Sequence, residues 1–177
     1  MRFNLLLVLG SILVLSSCKN KKTDTHENST LLYHEYHDFE SVADSRIDST
    51  KAFSGRKSGS LSDKIEYGYG PIKEIKHIPS YESIDHIEVS FKCFMDKKYP
   101  DATFVLAIDD DSISKKNIFW DGRPIVPAKF NAWETITISY KVNKKDIRPE
   151  CFLKLYIWNK GKNAFLFDDI SYSFYKD

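Results

Sequence analysis

The chain has 177 residues, of which 42% are hydrophobic, and its 26 basic and 25 acidic side chains leave a formal net charge of +1. So even a balance gives no electrostatic footprint for nucleic acid.

Met1-Arg2 supplies a positive start, and residues 3–15 are apolar apart from Asn4, Gly10 and Ser11. Leu15-Ser16-Ser17-Cys18 then places small residues before a cysteine. This is the pattern of a secretory signal over residues 1–17. The apolar run is too short for an ordinary transmembrane helix. Its end resembles the lipobox of bacterial lipoproteins, which implies diacylation of the Cys18 thiol and cleavage just before it. The alternative is an ordinary cleaved signal with a chance cysteine. Cleavage leaves about 160 residues, enough for one domain that buries on the order of 70% of its unfolded surface. Residues 18–30 carry no apolar periodicity and read as a flexible tether.

From Leu31 onward apolar runs alternate with punctuation, and the six prolines all fall between the runs. The runs cover 33–40, 58–69 with a turn inside, 72–78, 84–95, 103–108, 113–120, 133–142, 151–158 and 165–175. In several of them apolar side chains alternate with polar ones, as Ile87, Val89 and Phe91 do with Glu88, Ser90 and Lys92. Turns are expected at Asp121-Gly122, at Lys160-Gly161 and at the Asp109-Asp110-Asp111-Ser112 corner. The pattern predicts an all-β domain over residues 31–177, with eight to ten strands in a two-sheet antiparallel β-sandwich and little or no helix. In the last run Leu166, Ile170, Tyr172 and Phe174 share a face, and the period of two puts Asp168 on it. A carboxylate there needs a partner or a metal.

Chemistry-bearing motifs are few. His34-Glu35-Tyr36-His37 spaces its histidines three apart, not the four that a helical zinc site requires. The aspartates 109–111 lack the glycine and closing glutamate of a helix-loop-helix calcium loop. Glu134 and Asp168 are a pair of carboxylates with nothing to single them out for glycoside hydrolysis. Cys93 and Cys151 both fall on apolar parities, as a disulfide or as two separate core thiols.

Three segments join the ends of the domain: His37-Asp38-Phe39-Glu40, Ser54-Gly55-Arg56-Lys57-Ser58-Gly59, and Leu166-Phe167-Asp168-Asp169-Ile170. With Trp133-Glu134 and Tyr156-Ile157-Trp158-Asn159 between them, they resemble the carbohydrate-binding-module-like jelly rolls of the galactose-binding-like superfamily. The resemblance implies a structural calcium ion tying the first strand to the last. Its ligands would be the Glu40 and Asp168 carboxylates and backbone carbonyls near Arg56, Lys57 and Ser58. Oxygen donors of that kind suit the ion. The alternative is that Asp168 bonds backbone amides or pairs with Arg56 or Lys57.

On 151–158 the apolar parity leaves Phe152, Lys154, Tyr156 and Trp158 on the other face. Aromatic rings facing away from a core suit sugar binding, because a flat ring covers the apolar face of a pyranose. Trp158, Tyr156, Trp120, Tyr67 and Tyr69 are the candidate ligand contacts. The expectation is a lipid-anchored, non-catalytic module that binds glycan and meets the membrane through Cys18. With Lys19 after the cysteine, the resemblance favours the outer membrane. The rival is a structural lipoprotein that docks an envelope protein through the same sandwich.

Overall fold

The computed structural model describes residues 29–96, 101–110 and 116–177. The signal segment, Cys18 and most of the tether lie outside the described residues, as do Asp111 and Ser112.

Among the described residues the β-branched and aromatic runs form ten strands. They are β1 (Thr30–His37), β2 (Ile47–Asp48), β3 (Ser58–Leu61), β4 (Ile72–Glu74), β5 (His86–Met95), β6 (Ala102–Asp110), β7 (Lys116–Pro124), β8 (Trp133–Lys141), β9 (Cys151–Asn159) and β10 (Phe165–Lys176). A six-stranded sheet has the order β2-β3-β10-β5-β8, with β1 beside β10, and a four-stranded sheet has the order β4-β9-β6-β7. Every pairing is antiparallel. The all-β, two-sheet sandwich expected from the alternation is the fold observed.

The core lies between the sheets. Phe91 of β5 stacks on Phe104 of β6 at 4.8 Å between centroids. The buried Tyr140 hydroxyl donates to the Phe104 carbonyl at 2.9 Å, so this inward polar atom of β8 is satisfied. Cys93 faces this core from β5, and Cys151 opens β9 in the opposite sheet. Both are free, buried thiols, so the separate-thiol alternative holds and the disulfide does not. Burial pushes the Cys93 thiol up to about 12.

β10 departs from the expected parity. It pairs with β3 over Phe165–Phe167 and with β1 from Ile170 onward, and its register against β5 breaks between Asp168 and Ser171. Asp169 stands there at φ 51°, a left-handed conformation that aspartate tolerates better than most residues. The bulge switches the inward set. Phe165 and Phe167 face the core before it, and Ile170, Tyr172 and Phe174 after it. Leu166 and Asp168 therefore belong to the outer face. A strict period of two across the whole strand cannot survive an inserted residue. Asp168 is still fully buried, because the turn before β3 covers it.

Two expected turns also move. Asp121-Gly122 lies inside β7, opposite Leu106 and Val105. Asp109 and Asp110 are the last residues of β6, held by Lys154 at 2.6 Å and Arg148 at 2.8 Å, and are not a solvated corner. The turn at Lys160-Gly161 joins β9 to β10 as expected.

Candidate functional site: an aromatic groove on the four-stranded sheet

β6 is buried on both faces. Phe104, Leu106 and Ile108 enter the core, whereas Thr103, Val105 and Ala107 point outward and are buried all the same. These small side chains form a floor. Register places Trp120 opposite Ala107 and Gly122 opposite Val105 on β7. On the other flank Trp158 stands opposite Thr103, Tyr156 opposite Val105 and Lys154 opposite Ala107. The β9 parity read from sequence is therefore correct: Phe152, Lys154, Tyr156 and Trp158 are the residues not sent inward.

The rings converge over this floor. Tyr67, bridged to Trp158 along the edge of β9, lies 6.3 Å from it with the ring planes 14° apart. Tyr67 also meets Tyr156 at 6.1 Å. Trp120 approaches Trp158 at 6.3 Å with planes 78° apart, and its Nε1 donates to the Tyr156 hydroxyl at 3.1 Å. Gly122 makes room for this lean, since a Cβ there would lie 2.6 Å from the Trp120 ring. Tyr67 and Trp120 remain nearly half exposed, at 48% and 47%. Polar groups border the rings. Trp158 Nε1 donates to Glu66 at 3.0 Å, and the Lys160 ammonium lies 5.4 Å from the Trp158 centroid. Flat apolar surface edged by hydrogen-bonding groups is the chemistry that holds a sugar ring.

Beyond Tyr156 the chain 67–72 runs beside β9 with one residue too many. Gly68 N donates to the Ile157 carbonyl at 2.9 Å, and Leu155 N donates to the Pro71 carbonyl at 3.1 Å. Tyr69 and Gly70 bulge between these bonds. Gly70 permits the close approach, because a Cβ would fall 1.9 Å from the Leu155 carbonyl oxygen. The bulge opens a cleft of about 480 Å³ lined by Arg46, Tyr67, Tyr69, Ile72, Lys154 and Tyr156 among others. Four of the five expected ligand contacts thus meet in one cluster. Tyr69 is turned aside, stacked on His37 at 5.8 Å and lying under Arg46. Arg46 enters from the loop before β2, and no periodicity in that segment singles it out.

The three segments expected to hold calcium do come together, with different donors. Glu40 Oε1 accepts from the amides of Arg56 and Lys57 at 2.8 and 2.7 Å, which hold its carboxyl below the usual range. Asp168 Oδ2 accepts from the amides of Phe53 and Ser54 at 2.8 and 3.2 Å. Burial pushes the Asp168 carboxyl up, against the pull of these amides. The Lys57 ammonium donates to the Glu40 and Val42 carbonyls at 2.8 and 3.1 Å. Main-chain N–H groups thus engage an oxygen of each carboxylate, and the Lys57 ammonium sits on the carbonyls of Glu40 and Val42, not on those of residues 56–58 that the resemblance names. The first strand and the last are tied through the turn by main-chain amides. The expected result is a melting midpoint that moves by less than about 1 °C between excess calcium and chelator, since an ion bound only to the folded state must raise it. A rise of several degrees in calcium would restore the ion.

Fold and groove together define a jelly-roll β-sandwich with an aromatic groove on its four-stranded sheet. No protein-family model and no curated protein matches the sequence. Among solved structures, the chain is similar to the N-terminal CBM22-1-CBM22-2 tandem domain of Xyn10C from Paenibacillus barcinonensis. The TM-score is 0.51 and the identity 16%, over 84% of this chain and 47% of that one. It is also similar to the CBM22-1 xylan-binding domain of the same protein, with a TM-score of 0.49 and 14% identity over 84% and 97% of the two chains. A third is the CBM22-1-GH10 part of endo-1,4-beta-D-xylanase 10B from Clostridium thermocellum, complexed with xylohexaose. It gives a TM-score of 0.45 and 12% identity over 81% and 25%. At such identities the likeness is one of fold.

Proposed function

We propose that this chain is a lipid-anchored, non-catalytic module that binds a glycan chain in the groove of the four-stranded sheet. The observation that carries this reading is the convergence of Trp120, Tyr156, Trp158 and Tyr67 over a floor of small side chains. Rings left exposed on a β-face offer stacking area that sugar C–H faces can cover, and the hydrogen-bonding groups at the rim can take hydroxyls. The similarity in fold to the CBM22 tandem domain supports the same reading. The lipid anchor rests on Leu15-Ser16-Ser17-Cys18. Residues 29–177 should be retarded by a soluble polysaccharide in affinity electrophoresis, with xylan, β-glucan, mannan and uronate-bearing polymers as the panel. Migration unchanged by every polymer would overturn the proposal.

One observation favours the rival reading, docking of an envelope protein. Phe53 is 45% exposed on the outer face of the six-stranded sheet, packed against Trp133 at 5.9 Å, which itself meets Phe94 at 5.7 Å. Trp133 therefore belongs to this outer patch. The patch is one cluster of three rings, and the Lys51 and Lys92 ammonium groups lie over Phe94 and Phe53, at 3.0 and 4.4 Å from their centroids.

A further inference from the structure

We infer that the cleft beside the aromatic groove receives the carboxylate of an acidic sugar, so that the ligand is a uronate-bearing polysaccharide. The inference rests on the glycan reading above and goes beyond it to the class of glycan. Only two charged side chains line the cleft, and both are cations, Arg46 and Lys154. They arrive from separate elements: Lys154 from the outward face of β9, Arg46 from the loop leading into β2. Each is held in place by a carboxylate that is not part of the lining. Asp44 accepts from Arg46 Nε at 2.8 Å and Nη2 at 2.7 Å, and Asp109 accepts from Lys154 Nζ at 2.6 Å. These partners fix the cations, and each cation keeps further N–H donors for a second acceptor.

The cleft is continuous with the groove. Tyr67 and Tyr156 line it and also belong to the ring cluster. A sugar stacked on those rings brings its neighbour, or a side substituent, against Arg46 and Lys154. The wall contributed by Ile72 is apolar and cannot replace the hydration of an anion, so the charged part of recognition falls to the two cations. Glu66, the acid nearest the rings, is engaged by the Trp158 indole and does not line the cleft. A carboxylate forms charge-assisted hydrogen bonds with such donors, whereas a hydroxyl in its place makes weaker ones.

The test compares acidic polysaccharides (glucuronoxylan, alginate, polygalacturonate and hyaluronan) with the same polymers after reduction of their carboxyl groups to alcohols, using residues 29–177. At least one acidic polymer should bind about tenfold or more tightly than its reduced form, and added salt should narrow the difference. Lys154→Gln and Arg46→Gln should each lower affinity for the acidic form towards that of the reduced one, and lower binding of the reduced form much less. Trp158→Ala should weaken both. The comparison with reduced polymer requires no variant, so it stands even if Arg46→Gln disturbs folding. Equal binding of every acidic polymer and its reduced form, or binding confined to neutral glycans, would overturn the carboxylate while leaving the glycan reading intact. Failure to bind any polysaccharide, acidic or neutral, would overturn both.

Discussion

Trp158→Ala should weaken glycan binding by about thirtyfold or more, with a loss of stability of about 1 kcal/mol. Trp158 is the ring common to the cluster: it stacks on Tyr67, meets Trp120 edge-on and covers Thr103 of the floor. Truncating a central aromatic anchor costs on the order of 2 kcal/mol or more in binding, which is about thirtyfold in Kd. The fold should tolerate the change, because the ring packs on the outer face and no core residue depends on it. Trp120→Ala should have a smaller effect, and the double variant less than the sum, because the two rings touch and share Tyr156 through the indole bond. Isothermal titration against the tightest polysaccharide of the panel, with a thermal melt of each variant, measures both quantities. Full affinity in Trp158→Ala would remove the groove as the binding site.

Phe167→Ala should lower stability by about 3 to 5 kcal/mol, and the melting midpoint by roughly 10 to 15 °C. The ring is fully buried, meets Phe39 edge-on at 5.4 Å and lies 6.3 Å from Phe165. Two glycines are spaced around it: a Cβ at Gly59 would lie 2.3 Å from its atoms, and one at Gly68 would lie 2.9 Å away. Gly59 is its direct partner on β3. The ring thus fills space that its neighbours leave empty, and neither glycine has a side chain to collapse into the hole. Gly68 also carries Tyr67 and Tyr69 on either side, so the same cavity should loosen the groove. Calorimetry of Phe167→Ala beside Phe167→Leu would check this. A shift of only a degree or two for the alanine would mean that the ring is not the joint described here.

The alternation of β5, β8 and β9 was legible residue by residue, because a strand with one buried face must repeat every second position. The same rule identified Tyr156 and Trp158 as facing away from the core. It failed at β10, where the left-handed Asp169 adds a residue to the strand and moves Leu166 and Asp168 to the outer face. It failed again at Asp121-Gly122, where a turn-forming pair serves inside β7 and the glycine is there for the Trp120 ring.

What the sequence determined alone is the class of fold, its long strands β5, β6, β8, β9 and β10, and the outward parity of the rings on β9. These follow from period, punctuation and side-chain type, which are local. Only the tertiary structure decided that Tyr67 and Trp120 meet those rings, since strand order and register bring together residues about 90 apart in Tyr67 and Trp158. It alone decided that Arg46 joins Lys154 in one cleft, and that amides and the Lys57 ammonium meet Glu40 and Asp168 where a cation was expected. The direction in which a main-chain N–H or carbonyl points is set by the turn it occupies, and neither composition nor spacing records it.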